Sequence, residues 1–95
     1  MKRVERIRAN LAAMGLTDVA KRVAAEYHVS LNSILDGARM KSVAAARHRI
    51  WVLLRHTLDM SNAEIANTFG VDRSTVDVAI RKREAELARV YGVAS

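Results

Sequence analysis

The side chains best placed for chemistry in this 95-residue chain are cations, and the chemistry they suit is holding anions. Between Asp36 and Asp59 lie 22 residues that carry Arg39, Lys41, Arg47, Arg49 and Arg55, two histidines and no acid. Exposed helix faces normally mix charge signs, so an all-basic run points to a polyanionic partner, nucleic acid or an anionic membrane surface. The whole chain has 16 basic against 10 acidic residues, a net charge of +6, and most of that excess sits in this run. A second group follows at Asp72, Arg73, Ser74, Thr75, Asp77, Val78 and Arg81. These are side chains that can read DNA base edges. Arginine takes guanine O6 and N7 together, hydroxyls serve either edge, and an exposed valine touches a thymine methyl.

Other chemistries are poorly served. With no cysteine there is no thiolate nucleophile and no cysteine-ligated zinc. His28, His48 and His56 lack metal-ligand spacing and an intervening carboxylate, and Glu84 and Glu86 fall on opposite sides of one helix. No nucleophile lies near a recognisable base motif, and no glycine-rich phosphate loop occurs. The expectation is a non-enzyme without cofactor or metal. At about 100 residues a chain forms one small domain, so residues 1–95 are read as a single unit with no room for an ATPase or nuclease module. No apolar run approaches the roughly 18 residues of a membrane span. Lys2 to Arg8 alternates charged and apolar residues instead of opening a signal peptide. An interfacial anchor built on Arg3, Arg6 and Arg8 is the lesser reading, because a small fold needs that apolar stripe for its core.

The elements that must carry these residues are helices. Pro is absent and Gly numbers 4, so long helices are permitted, and 16 alanines favour close helix contacts. Val4, Ile7, Leu11 and Met14 form one stripe of an N-terminal helix in residues 1–15. Gly15 ends it. Thr17 is expected to cap a second helix with Val19, Val23 and Tyr27 on its inner face and Ala20 and Ala24 leaving room for a neighbour. Ser30 caps a short helix, Leu31 to Leu35, stapled by Val29 and Ile34, and Gly37 stops it. After the basic connector Ala38 to Lys41, Ser42 is expected to cap a long helix, Val43 to Leu58. Its core face is Val43, Ala46, Ile50, Leu53, Leu54 and Leu58, with Trp51 read as a structural anchor.

Ser61 and Glu64 make a capping box and Met60 with Ile65 a second staple, so a helix starts at Asn62. Phe69 closes it and Gly70 supplies the left-handed turn. A last helix, roughly Arg73 to Tyr91, is expected to bury Val76, Ala79, Ile80, Leu87 and Val90, with a frayed tail at Gly92 to Ser95. From Ser61 onward this is helix-turn-helix spacing: small Ala66 at the crossing, Gly70 in the turn, Val76 as the lock. The motif is placed at 61–90. An ordinary helical hairpin in a bundle is the competing reading.

The stretch Arg22 to Ala88, about two-thirds of the chain, resembles the C-terminal DNA-binding domain of the bacterial replication initiator DnaA. Three segments carry the likeness in order: RVAAEYHVSLNSIL, ARMKSVAAARH and SNAEIANTFGVDRSTV. The resemblance implies an all-α, compact bundle of about six helices containing a helix-turn-helix, Trp-repressor-like in architecture. It implies that Arg39 enters the minor groove beside the recognised site. Lys41, Arg47 and Arg55 match positions on or near the backbone-contacting surface, and Ala63 stands where the family reaches a thymine methyl. Asp72, Arg73, Ser74 and Thr75 stand where the family has Asp-His-Thr-Thr, whose side chains read bases and hold phosphates. The sequence departs from the family at the turn, reading Phe-Gly-Val-Asp for Phe-Gly-Gly-Arg-Asp, and Arg73 replaces a histidine. These changes bear on which bases are read rather than on binding itself.

The expected function is sequence-specific binding of double-stranded DNA, by the helix-turn-helix in the major groove and Arg39 in the minor groove. The chain reads as a free-standing regulator of replication or transcription, a monomer on DNA in the bacterial nucleoid, or in host cytoplasm if phage-encoded. The alternative is an adaptor whose basic face meets the replication or transcription machinery.

Overall fold

The computed structural model describes residues 2–91, and the expected frayed tail lies outside them. Six helices follow one another: α1 (Arg3–Ala13), α2 (Thr17–Glu26), α3 (Leu31–Asp36), α4 (Lys41–Thr57), α5 (Asn62–Phe69) and α6 (Arg73–Tyr91). The fold is all-α, as the patterning predicts. α4 is the central rod and touches α2, α3, α5 and α6, while α1 lies across α2, α3 and α5. The radius of gyration is 13.0 Å, close to the value of about 13 Å for a folded chain of this size.

The core is built where the apolar stripes meet. Ile7 and Leu11 of α1, Val23 of α2, Ile34 and Leu35 of α3, Ile50, Trp51 and Leu54 of α4, Ile65 and Phe69 of α5, and Val76 and Ile80 of α6 are all buried. Ala20, Ala24, Ala46, Ala66 and Ala79 are buried as well, and their short side chains let helix axes approach closely. Trp51 is the anchor expected of it, 1% exposed, with its ring edge-on to Phe69 at 5.9 Å. That contact joins the central rod to the end of α5.

Several boundaries differ from expectation, each for a physical reason. Thr17 does not cap α2; it is the first helical residue, and the N-cap is Leu16, which offers no side-chain bond. Leu16 is buried, so its anchoring in the core starts the helix one residue early. Ser42 likewise lies inside α4, whose N-cap is Met40, again without a side-chain bond. Leu58 and Met14, expected on inner faces, are 48% and 45% exposed because both fall at helix ends. Leu87 and Val90 are 44% and 75% exposed. The apolar stripe of α6 continues to them, but no described residue of α6 after Ile80 is buried. The other helices cover only its first half fully.

Candidate nucleic-acid interface

The helix-turn-helix is assembled by local chemistry. Ser61 Oγ accepts from the Glu64 backbone N–H at 3.1 Å, and Glu64 Oε1 accepts from the Ser61 N–H at 3.0 Å. These reciprocal bonds satisfy two of the free donors at the start of α5, and they hold the Glu64 carboxyl below the usual carboxylate range. At the other end Gly70 adopts φ 65°, ψ 37° and its N–H donates to the Ala66 carbonyl. The Val71 N–H bonds the same carbonyl at 3.0 Å. The Asp72 carbonyl then accepts from the N–H groups of Thr75 and Val76 at 3.0 and 3.4 Å, which begins α6. Asn62 Nδ2 donates to Asp77 Oδ1 at 2.9 Å, tying the first turn of α5 to α6.

This geometry turns the first turns of α6 outward. Val76, Ala79 and Ile80 are buried, whereas Asp72, Arg73, Ser74 and Thr75 are exposed and Val78 is 65% exposed. Asp77, by contrast, is engaged on both sides, by Asn62 and by Arg81 Nη2 at 3.2 Å from its Oδ2. Arg55 and Ala63 line a shallow depression with Asp59, Ser61, Asn62 and Arg73. Three residues singled out from the sequence, Arg55, Ala63 and Arg73, therefore converge from α4, α5 and α6.

The connector between α3 and α4 exposes Arg39 and Met40, and Lys41, the first residue of α4, is exposed beside them. Lys41 and Ser42 border a second depression with His48 of α4 and Lys82, Arg83 and Glu86 of α6. Cations dominate there. Burial, reinforced by Arg83, Arg47 and Lys82 and opposed by Glu86, holds the His48 imidazole below its ordinary pKa. α6 thus borders both depressions, one through Arg73 and the other through Lys82 and Arg83.

Arg47 stands apart from the other basic residues. Its Nε donates to the Ile34 carbonyl at 2.8 Å, and its Nη2 donates to those of Ala38 at 2.9 Å and Ser33 at 3.4 Å. Burial, together with nearby Arg3, pushes its pKa down against the pull of Asp36. The guanidinium is turned onto the end of α3 and the connector. The sequence pattern also leaves Arg3 unremarked except as a surface cation, yet its Nη1 reaches the Asp36 carbonyl and its Nη2 the Phe69 carbonyl, both at 3.5 Å. Neither role has a local signal, because the partners lie between 9 and 66 residues away.

Among the described residues no group of three potential metal ligands occurs. No described helix is long and apolar enough to cross a membrane.

A capped helix, a glycine turn and a second helix with an outward-facing first turn define an all-α helix-turn-helix domain. A family model described as the bacterial dnaA protein helix-turn-helix matches residues 16–82. The chain is 33% identical over 82 residues to the chromosomal replication initiator protein DnaA of Mycoplasma capricolum, covering 85% of this chain and 18% of that protein. It is 32% identical over 78 residues to the protein of the same name from Deinococcus radiodurans, covering 82% of this chain and 17% of that one. No solved structure gives a significant match. The chain belongs to the bacterial DnaA helix-turn-helix family, a family of DNA-binding domains. It spans under a fifth of the length of these relatives.

Proposed function

We propose that residues 1–95 act as one unit that binds double-stranded DNA sequence-specifically. The first turns of α6 enter the major groove, where Arg73, Ser74 and Val78 meet base edges and Thr75 and the N-terminal end of the helix meet phosphate. Asp72 accepts from a cytosine amine or orients Arg73, and Ala63 packs on a thymine methyl. Arg39 enters the neighbouring minor groove, where a narrow A·T-rich tract concentrates negative potential. Lys41 and Arg55 neutralise phosphates on either side. The biological role in this reading is regulation of replication or transcription in the bacterial nucleoid, with one copy bound per site.

The observation that carries this reading is the pattern on α6, in which Arg73, Ser74, Thr75 and Val78 are exposed while their neighbours Val76, Ala79 and Ile80 are buried. Selection of bound duplexes from a random pool tests it. The expected product is one asymmetric site with an A·T-rich flank, whose affinity falls steeply with salt. Arg73→Ala or Ser74→Ala should flatten discrimination at one or two base pairs by about 1–3 kcal/mol each. Arg39→Ala should remove preference for the flank. Weak, equal binding to every duplex beside tight capture of a replication or transcription protein would favour an adaptor instead.

A further inference from the structure

The connector that carries Arg39 and the turn that launches α6 are separate loops, and a protein reading two grooves at once must hold them at a fixed separation. α1, which precedes the family-matched residues 16–82, touches α3 and α5, the helices that lead into these loops. Arg3 Nη1 donates to the Asp36 carbonyl at the end of α3, and Arg3 Nη2 donates to the Phe69 carbonyl at the end of α5. These carbonyls sit at the C-terminal, partially negative ends of the two helices, where a guanidinium is favoured. The glycines that follow them complete the seat. A methyl added at Gly37 would lie 3.2 Å from Arg3 Nη1, and one at Gly70 would lie 3.7 Å from Arg3 Nε. One planar cation therefore spans the last turns of two helices whose next residues open the connector and the helix-turn-helix turn.

Neighbouring bonds stiffen the arrangement. Asn10 Nδ2 donates to the Thr68 carbonyl at 3.1 Å, fixing α1 to the end of α5, and Arg8 donates to Asn32 Oδ1, fixing α1 to α3. From α4, Arg47 grips Ile34, Ser33 and Ala38. The C-terminal end of α3 is thus held by two guanidinium groups, one from α1 and one from α4.

The geometry points to Arg3 as a positioning residue for two-groove DNA recognition: it locks the Arg39 connector to the helix-turn-helix turn without itself touching DNA. This rests on the DNA-binding reading above, and the tests separate the two. The first is a double-mutant cycle on the selected duplex, using the full chain. Arg39→Ala in the parent is expected to weaken binding roughly tenfold. In an Arg3→Met background the same substitution is expected to cost less than about threefold, because a misplaced Arg39 has little left to lose. Arg3→Met alone should leave the salt slope unchanged, since no phosphate contact is removed. Arg3→Lys, which keeps the charge but cannot span both carbonyls, should show the same loss of coupling and serves in its place should Arg3→Met not fold.

The second test needs no DNA. Amide exchange at Ala38 and Val71, the first residues past the two glycines, should rise together in Arg3→Lys, with global unfolding little changed. Equal cost of Arg39→Ala in both backgrounds overturns the inference, as does a salt slope lowered by about one in Arg3→Met. Exchange rising at only one of the two amides also overturns it. Failure of the parent to prefer any duplex, with the two amides still responding together, removes the DNA reading and leaves the mechanical link standing without that purpose.

Discussion

Gly37 and Gly70 both end a helix in the left-handed region, at φ 84° and 65°, yet what surrounds them differs. The Gly70 turn is only Gly70, Val71 and Asp72, with buried Phe69 before it and buried Val76 after it. Apolar contacts and backbone bonds within a dozen residues shape it, and Arg3 and Asn10 add bonds from α1 to the carbonyls of Phe69 and Thr68. The Gly37 connector runs through Ala38, Arg39 and Met40, is mostly exposed, and is held by guanidinium bonds from Arg3 and Arg47. Arg3 reaches both turns, but the Gly70 turn is also set by burial, whereas the Gly37 connector depends on long side chains from two distant helices. Loss of the burial should therefore take the Gly70 turn with the fold, whereas loss of Arg47 should loosen the Gly37 connector alone.

Four experiments bear on that contrast. Phe69→Ala should have the largest effect, a loss of about 3–5 kcal/mol of stability in urea, because it empties the contact with Trp51 and releases the end of α5. Loss of all DNA binding should accompany it. Arg47→Ala should cost less, about 1–2 kcal/mol, by leaving partly buried carbonyls without their donor. Its binding defect should be confined to duplexes with the A·T-rich flank. A salt slope reduced by about one unit would show instead that Arg47 also reaches a phosphate. Ser61→Ala should cost about 1 kcal/mol and fray the start of α5, seen as faster amide exchange at Glu64, with no change at Ala38.

The smallest effect concerns pH. The folded His48 imidazole is held below the ordinary value of about 6.5, so the unfolded chain takes up its proton first as pH falls. Stability should decline from about pH 6.5 downward until the folded imidazole also titrates. Urea midpoints measured across that window should flatten in His48→Gln.

The parts made by near neighbours could be read from the sequence. Ser61, Glu64, Phe69, Gly70 and Val76 form the motif through contacts a few residues long, and the sequence pattern placed each of them correctly. Ser30 and Gly37 did the same for α3, with Ser30 Oγ accepting from the Ser33 N–H at 3.1 Å. Thr17 and Ser42 misled because a hydroxyl near a boundary resembles a cap, whereas buried Leu16 and the connector ending at Met40 set where those helices start. Leu87 and Val90 misled because periodicity names a face without saying how far the covering helices extend. The candidates Arg39, Lys41, Arg55, Ala63, Arg73 and Ser74 were suggested by charge and family likeness. The convergence of Arg55, Ala63 and Arg73 from three helices needed the fold. The tasks of Arg3 and Arg47 could not be inferred at all, since nothing nearby in the chain announces a carbonyl many residues away.

Trp51 is the single tryptophan, and its indole lies between the edge contact with Phe69 and the tilted ring of His48 at 5.5 Å. Its Nε1 hydrogen finds no acceptor among the described residues. The molecule consequently carries its own optical gauge. Emission should be short in wavelength while α5 is seated, shift to the red when α5 lifts away, and dim when the adjacent imidazole gains a proton.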